Sequence, residues 1–159
     1  MCKNKIYKVK VDNVNNITSG SGLTRFGITL SQTLQSELQG KLCNVWVEYA
    51  QLITEFGGVV IATANVAIAS SINQRFTYNN TLDDMTNILC YFPSERLIVD
   101  GTTSVLSIVN PTEKSYVGVL PNTIEFWLCS AVAQTTITLA SANYTWVAVL
   151  CIQEIDGEE

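Results

Sequence analysis

The chain has no histidine anywhere in its 159 residues, and this absence removes more chemistry than any other feature of the sequence. Without an imidazole there is no Ser-His or Cys-His nucleophile pair, no His general base and no metal site that needs a ring nitrogen. Charge is scarce too: 14% of the residues are charged, against roughly 25% in an ordinary soluble domain. With 9 basic and 14 acidic residues the net charge is -5, which argues against broad, nonspecific coating of nucleic acid. Long apolar runs are missing as well. Residues 56–74 and 126–153 carry no charge, but Gly57, Gly58, Asn65 and Ser70 interrupt the first and Gln134, Thr135, Thr136 and Asn143 the second. A spanning helix wants about 20 mostly apolar residues, so no membrane span is expected.

The five cysteines, Cys2, Cys43, Cys90, Cys129 and Cys151, are odd in number, far apart and without a C-x-x-C pair. That spacing excludes a zinc ribbon and a disulfide-stapled secreted scaffold. Four of them lie in apolar, strand-like contexts where a reduced thiol behaves as a small hydrophobe. The N-terminus enters charged and apolar alternation at once and offers no apolar signal core of about 7 to 15 residues, so the chain is expected to lack a signal peptide. The sequons at Asn16, Asn79 and Asn143 would then be chance products of an Asn- and Thr-rich chain.

What is abundant is neutral hydrogen-bonding side chains: 12 Ser, 17 Thr and 13 Asn. Among them, apolar residues recur with a period of two. Tyr7, Val9 and Val11 alternate with Lys8, Lys10 and Asp12, which places apolar and charged side chains on opposite faces of a first strand over 1–12. Residues 13–22, rich in Asn, Ser and Gly, read as a flexible loop. Leu30, Leu34 and Leu38 recur at helical spacing, Thr29 and Gln32 match a capping box, and Gly40 supplies a stop. One short helix is therefore expected over 31–39, as an amphipathic lid at one end of a sheet core.

Strand patterns follow to the C-terminus. Cys43, Val45, Val47 and Tyr49 share one face, and Asn44, Trp46 and Glu48 the other. Val60 to Ile68 alternate with small residues, and further strands are expected over 87–92, 96–99, 104–109, 115–120, 123–129, 135–139 and 144–152. Asp100-Gly101 fits a hairpin turn. Many short strands, one helix and no βαβ pattern give an all-β, antiparallel β-sandwich, a single domain over 1–159.

Candidate chemistry is thin. Asp83 and Asp84 are adjacent in a polar connection, and neighbours in an extended segment point apart. A calcium loop of the D-x-D-x-D-G kind is missing. Gly20-Ser21-Gly22 matches no phosphate-cradling motif. No cofactor, metal or small-molecule ligand is expected, and no enzyme. Lys3, Lys5, Lys8 and Lys10 form a basic cluster at one end, and Glu154, Asp156, Glu158 and Glu159 an acidic one at the other. Mutual attraction of neighbouring terminal strands explains the two clusters better than nucleic acid does. Trp46, Trp127 and Trp146 lie in strands, where large aromatics serve cores and interfaces. Glu125 alternates with Ile124 and Phe126, hence faces outward.

The segments Pro121-Asn122-Thr123-Ile124-Glu125-Phe126-Trp127-Leu128 and Tyr144-Thr145-Trp146-Val147-Ala148-Val149-Leu150-Cys151-Ile152 resemble the closing strands of small single jelly-roll capsid proteins of large icosahedral DNA viruses and their smaller relatives. Ile6 to Val11 would be the matching first strand. The resemblance implies a single jelly roll of about eight strands and a self-associating virion protein, either a vertex penton or a minor capsid protein. It implies synthesis in the host cytoplasm, with copies of itself and other capsid proteins as partners. Trp46, Trp127, Glu125, Asp83, Asp84, Lys8 and Lys10 are the candidate assembly-interface residues. The alternative is a trimeric receptor- or glycan-binding head of a fibre, which exposed tryptophan beside Asn and Gln would favour.

Overall fold

The computed structural model describes residues 5–55, 66–73, 88–92, 97–98, 103–109, 116–130, 137–139 and 145–155. Eleven strands and one α-helix occur among them. The strands are β1 (Ile6–Asp12), β2 (Ser19–Gly20), β3 (Arg25–Thr29), β4 (Leu42–Glu55), β5 (Val66–Ser70), β6 (Ile88–Tyr91), β7 (Leu97–Ile98), β8 (Thr103–Val109), β9 (Tyr116–Val119), β10 (Thr123–Ser130) and β11 (Thr145–Glu154), and the helix is α1 (Gln32–Leu38). One antiparallel sheet runs β1-β11-β4-β8-β7, with β9 also paired to β4, and the other runs β2-β3-β10-β5-β6. The all-β sandwich expected from alternation is the observed class. No helix among the described residues is long and apolar enough to cross a membrane.

The core lies between the two sheets. From the six-stranded sheet come Val11, Val45, Val47, Leu52, Trp146, Leu150 and Ile152, and from the other Phe26, Ile28, Ile68, Ile124, Phe126 and Leu128. Phe26 joins the layers, its ring centroid 6.2 Å from that of Phe126 and 5.5 Å from that of Trp146. Each such side chain, once fully buried, contributes about 1.5–3 kcal/mol from leaving water.

The longest strand departs from simple alternation. Along β4, Val149 of β11 opposes Tyr49 while Leu150 opposes Val47. Glu48 is thus an extra residue, a bulge that reverses the side-chain parity. Cys43, Val45 and Val47 point into the core before it, and Ala50 and Leu52 after it. Tyr49, expected on the inner face with Val47, therefore turns outward with Gln51 and Ile53.

Other expectations are refined. Residues 13–22 are largely irregular, but the segment is tied to its neighbours. Asn13, 6% exposed, accepts a hydrogen bond from the Trp146 N–H through Oδ1 (2.9 Å) and donates from Nδ2 to the Gly22 carbonyl (3.2 Å). A Cβ on Gly22 would lie 1.9 Å from the Asn13 carbonyl oxygen, so this glycine serves close packing, and β2 pairs with β3. The cap lies two residues later than the expected capping box: Ser31 is the N-cap and accepts from the Leu34 N–H, whereas Thr29 closes β3. Gly40, at φ +72°, follows the C-cap Gln39 in the left-handed region that suits glycine. Leu30 and Leu38 are buried and Leu34 packs against them, as expected of a lid. The strand expected at 135–139 is not formed over 137–139, although Ile137 and Leu139 donate backbone hydrogen bonds to Leu128 and Leu23. Asp100-Gly101 lies outside the described residues.

Candidate functional site

The outer face of the six-stranded sheet is laid out by its register. One row reads Ile6, Gln153, Asn44 and Val117; the next pairs Leu42 with Val119 toward the α1 end. In the other direction come the rows Lys8, Cys151, Trp46 and then Lys10, Val149, Tyr49. Because β4 is paired on both sides, its outward residues stand at the middle of this surface.

The α1 end is apolar. Ile6 is 48% exposed, Leu42 50%, Val117 59% and Val119 48%. Single exposed hydrophobics such as Ile6, which Gln153 and Asn44 separate from Val117, are ordinary, but Leu42, Val117 and Val119 are neighbours in adjacent rows and form a patch. Ion pairs flank it: Lys5–Glu37 at 2.8 Å, Lys8–Glu48 at 2.8 Å and Lys41–Glu154 at 2.9 Å. The Tyr7 hydroxyl also donates to Glu37, which ties β1 to α1. Hydrogen bonds from Lys5 and Tyr7 hold the Glu37 carboxyl below its ordinary value. Beside the patch, the buried Oδ1 of Asn44 has no hydrogen-bond partner among the described residues.

Of the two terminal charge clusters, Lys3, Asp156, Glu158 and Glu159 lie outside the described residues. Strand β1 does lie beside β11, but Lys5 and Lys8 reach Glu37 and Glu48, while Glu154 is taken by Lys41. Lysines on β1 also guard the edge of the sheet, where charge discourages uncontrolled strand pairing.

At the opposite end of the same face, a cleft of about 270 Å³ is lined by Lys10, Asp12, Asn15, Gln51, Ile53 and Val147, among others. The carboxylate of Asp12 is already committed, accepting from the Val14 and Asn15 N–H groups at 2.9 and 2.6 Å. Burial opposes its ionisation, but these hydrogen bonds prevail and hold the carboxyl below its ordinary value.

The outer face of the five-stranded sheet buries part of its surface instead. Ala67, Ala69, Trp127 and Cys129 form a buried cluster there. The Arg25 guanidinium lies 4.2 Å from the Trp127 ring centroid and pairs with Glu125. The Glu125 N–H donates to the Ser71 hydroxyl at 3.0 Å.

The expected residues are thus divided between two surfaces. Trp46, Lys8 and Lys10 share the open face, with Trp46 half-buried. Glu125 and Trp127 stand on the other one, and Asp83 and Asp84 lie outside the described residues. Leu42, Val117, Val119 and Glu48 were not singled out by sequence. Only the 115–120 alternation hinted at the valines, and it could not say which side faced the core. Among the described residues no three His, Cys, Asp or Glu side chains gather as metal ligands. Cys43, Cys90, Cys129 and Cys151 are buried and form no disulfide among the described residues, and burial pushes the Cys90 thiol up to about 12.

No family model, no curated protein and no solved structure matches this chain.

Proposed function

We propose that this chain is a self-associating structural component of a virion capsid, a vertex or minor capsid protein built as a single jelly roll, with no catalytic role. The strand order carries the reading. Leaving aside the short β2 and β7 and the β9 branch, the sheets run β1-β11-β4-β8 and β3-β10-β5-β6. That order, with the first and last strands side by side, supports the jelly-roll reading. Jelly rolls of eight strands are a recurrent fold of capsid and lectin domains. Fold alone does not fix function, so the exposed apolar rows of Leu42, Val117 and Val119 supply the second support. An assembly protein buries such residues against its neighbours.

A binding head remains the second reading, favoured by Trp46 half-exposed beside Asn44 and diagonally across from Gln153. Aromatic surface next to amides is what a sugar platform requires.

Light scattering behind a sizing column, over a concentration series at two salt levels, tests the proposal. A pentamer supports the vertex role, and a trimer supports either a trimeric capsid unit or a fibre head, which a glycan array would separate. A strict monomer at high concentration contradicts self-association.

A further inference from the structure

We infer that Glu37 is the latch that holds α1 against β1, and that acid releases it, so that the helix opens from the end of the sandwich before the sheets do. Three observations carry the inference. First, α1 cannot hold its shape alone. It has seven residues, with no acidic side chain in its first turn and no basic one in its last to answer the helix dipole. Isolated helices shorter than about 12 to 15 residues are marginal in water. Second, among the described residues only Glu37 makes side-chain hydrogen bonds from α1 to another element. Its Oε2 accepts from Lys5 Nζ at 2.8 Å and from the Tyr7 hydroxyl, and Lys5 Nζ lies 4.6 Å from the Tyr7 ring centroid. The other bonds stay local: the Ser31 hydroxyl accepts from the Leu34 N–H, and the Gln35 amide donates to the Leu30 carbonyl at 2.6 Å. Apolar contact through Leu34 and Leu38 supplies the rest of the hold, so release loosens the helix without detaching it. Third, the described groups that face Glu37 favour its charged form. They are Lys5 and Tyr7 at β1, and Lys41 just after α1, which is itself paired with Glu154 of β11 at 2.9 Å. Hydrogen bonds from Lys5 and then Tyr7 hold the Glu37 carboxyl below its ordinary 4.5. The latch is therefore complete above that ordinary value and is lost as the pH falls through the lower, folded one.

Amide hydrogen exchange of the full chain tests the latch, with α1 compared against β11 between about pH 6 and about pH 3, either side of the ordinary glutamate value. The pH dependence of intrinsic exchange is divided out, and circular dichroism checks that each variant is folded. In the wild type, α1 should open about two- to fivefold more often relative to β11 on acidification, the range that an exposed ion pair commands. In Glu37→Gln the helix should already open that much more often at about pH 6, and the acid-dependent step should be gone. Lys5→Met removes the other half of the latch and should reproduce both effects, which keeps the comparison available if Glu37→Gln does not fold. Glu154→Gln frees Lys41 without touching the latch and should keep the step. If α1 and β11 lose protection together, if both latch variants exchange as the wild type does at about pH 6, or if the acid step survives in them, Glu37 is not the latch.

Discussion

Trp46 and Trp127 stand on the outer faces of the two sheets, and by alternation alone they are equivalent. Their surroundings make them opposites. Trp127 is 8% exposed, packed with Ala67, Ala69 and Cys129 under the Arg25 guanidinium. Trp46 stays half-exposed between the Lys8–Glu48 pair and the row holding Asn44 and Val117. The five-stranded sheet therefore buries part of its outer face around Trp127, with Tyr91 left exposed there, whereas the six-stranded sheet leaves its apolar rows open.

The largest effect that would sharpen this contrast comes from truncating the two tryptophans. Trp127→Ala is expected to cost about 3–5 kcal/mol, as deletion of a buried large aromatic does. Trp46→Ala, losing a half-buried ring, should cost about 1 kcal/mol and act mainly on association. Urea unfolding of both variants checks the ranking, and equal costs would break the comparison.

Next in size is Asn13→Ala at the corner of the open sheet. It strips the acceptor from the buried Trp146 N–H, and an unsatisfied buried donor costs about 1–3 kcal/mol. Amide exchange at Trp146 and on 13–22 should accelerate together in this variant.

Smaller again is Arg25→Ala, which uncovers the Trp127 ring and breaks an exposed pair with Glu125. The stability change should stay within about 1 kcal/mol, while acrylamide quenching of tryptophan fluorescence rises. Unchanged quenching would mean that the guanidinium does not cover the ring.

The smallest effect is acid titration of the open sheet. Asp12 is held below its ordinary value of 3.8 in the folded chain. Its contribution is therefore full above the unfolded value and is lost as the pH falls through the lower, folded one. Melting of Asp12→Asn against wild type should differ less as the solution is acidified through that window.

The sandwich was legible because alternation in Tyr7-Lys8-Val9-Lys10-Val11 and in the 123–129 and 144–152 segments carries its own face assignment. Trp146 was placed correctly within an apolar row, and it is 2% exposed in the core. What alternation could not carry was any feature set by a partner strand. The Glu48 bulge, which turns Tyr49 outward, exists only because β4 must keep register with β11. The short β3 passed unnoticed, since Arg25-Phe26-Gly27-Ile28-Thr29 holds only two large apolar residues. Residues 13–22 looked mobile by composition because the hydrogen bonds that pin them come from Trp146 and β3, remote in sequence. The candidate surface was half legible: Trp46, Lys8 and Lys10 were singled out, but the apolar rows beside them depend on pairings no local pattern records.

Side-chain footprinting by hydroxyl radicals over a concentration series tests the central claim most directly, because the molecule contains its own control. Tyr91 is 47% exposed on the outer side of the five-stranded sheet, opposite Ala67, and should react equally at every concentration. Leu42, Val117 and Val119 should become protected as concentration rises. Protection at Tyr91 instead, or no protection at the three patch residues while the mass increases, would contradict the account.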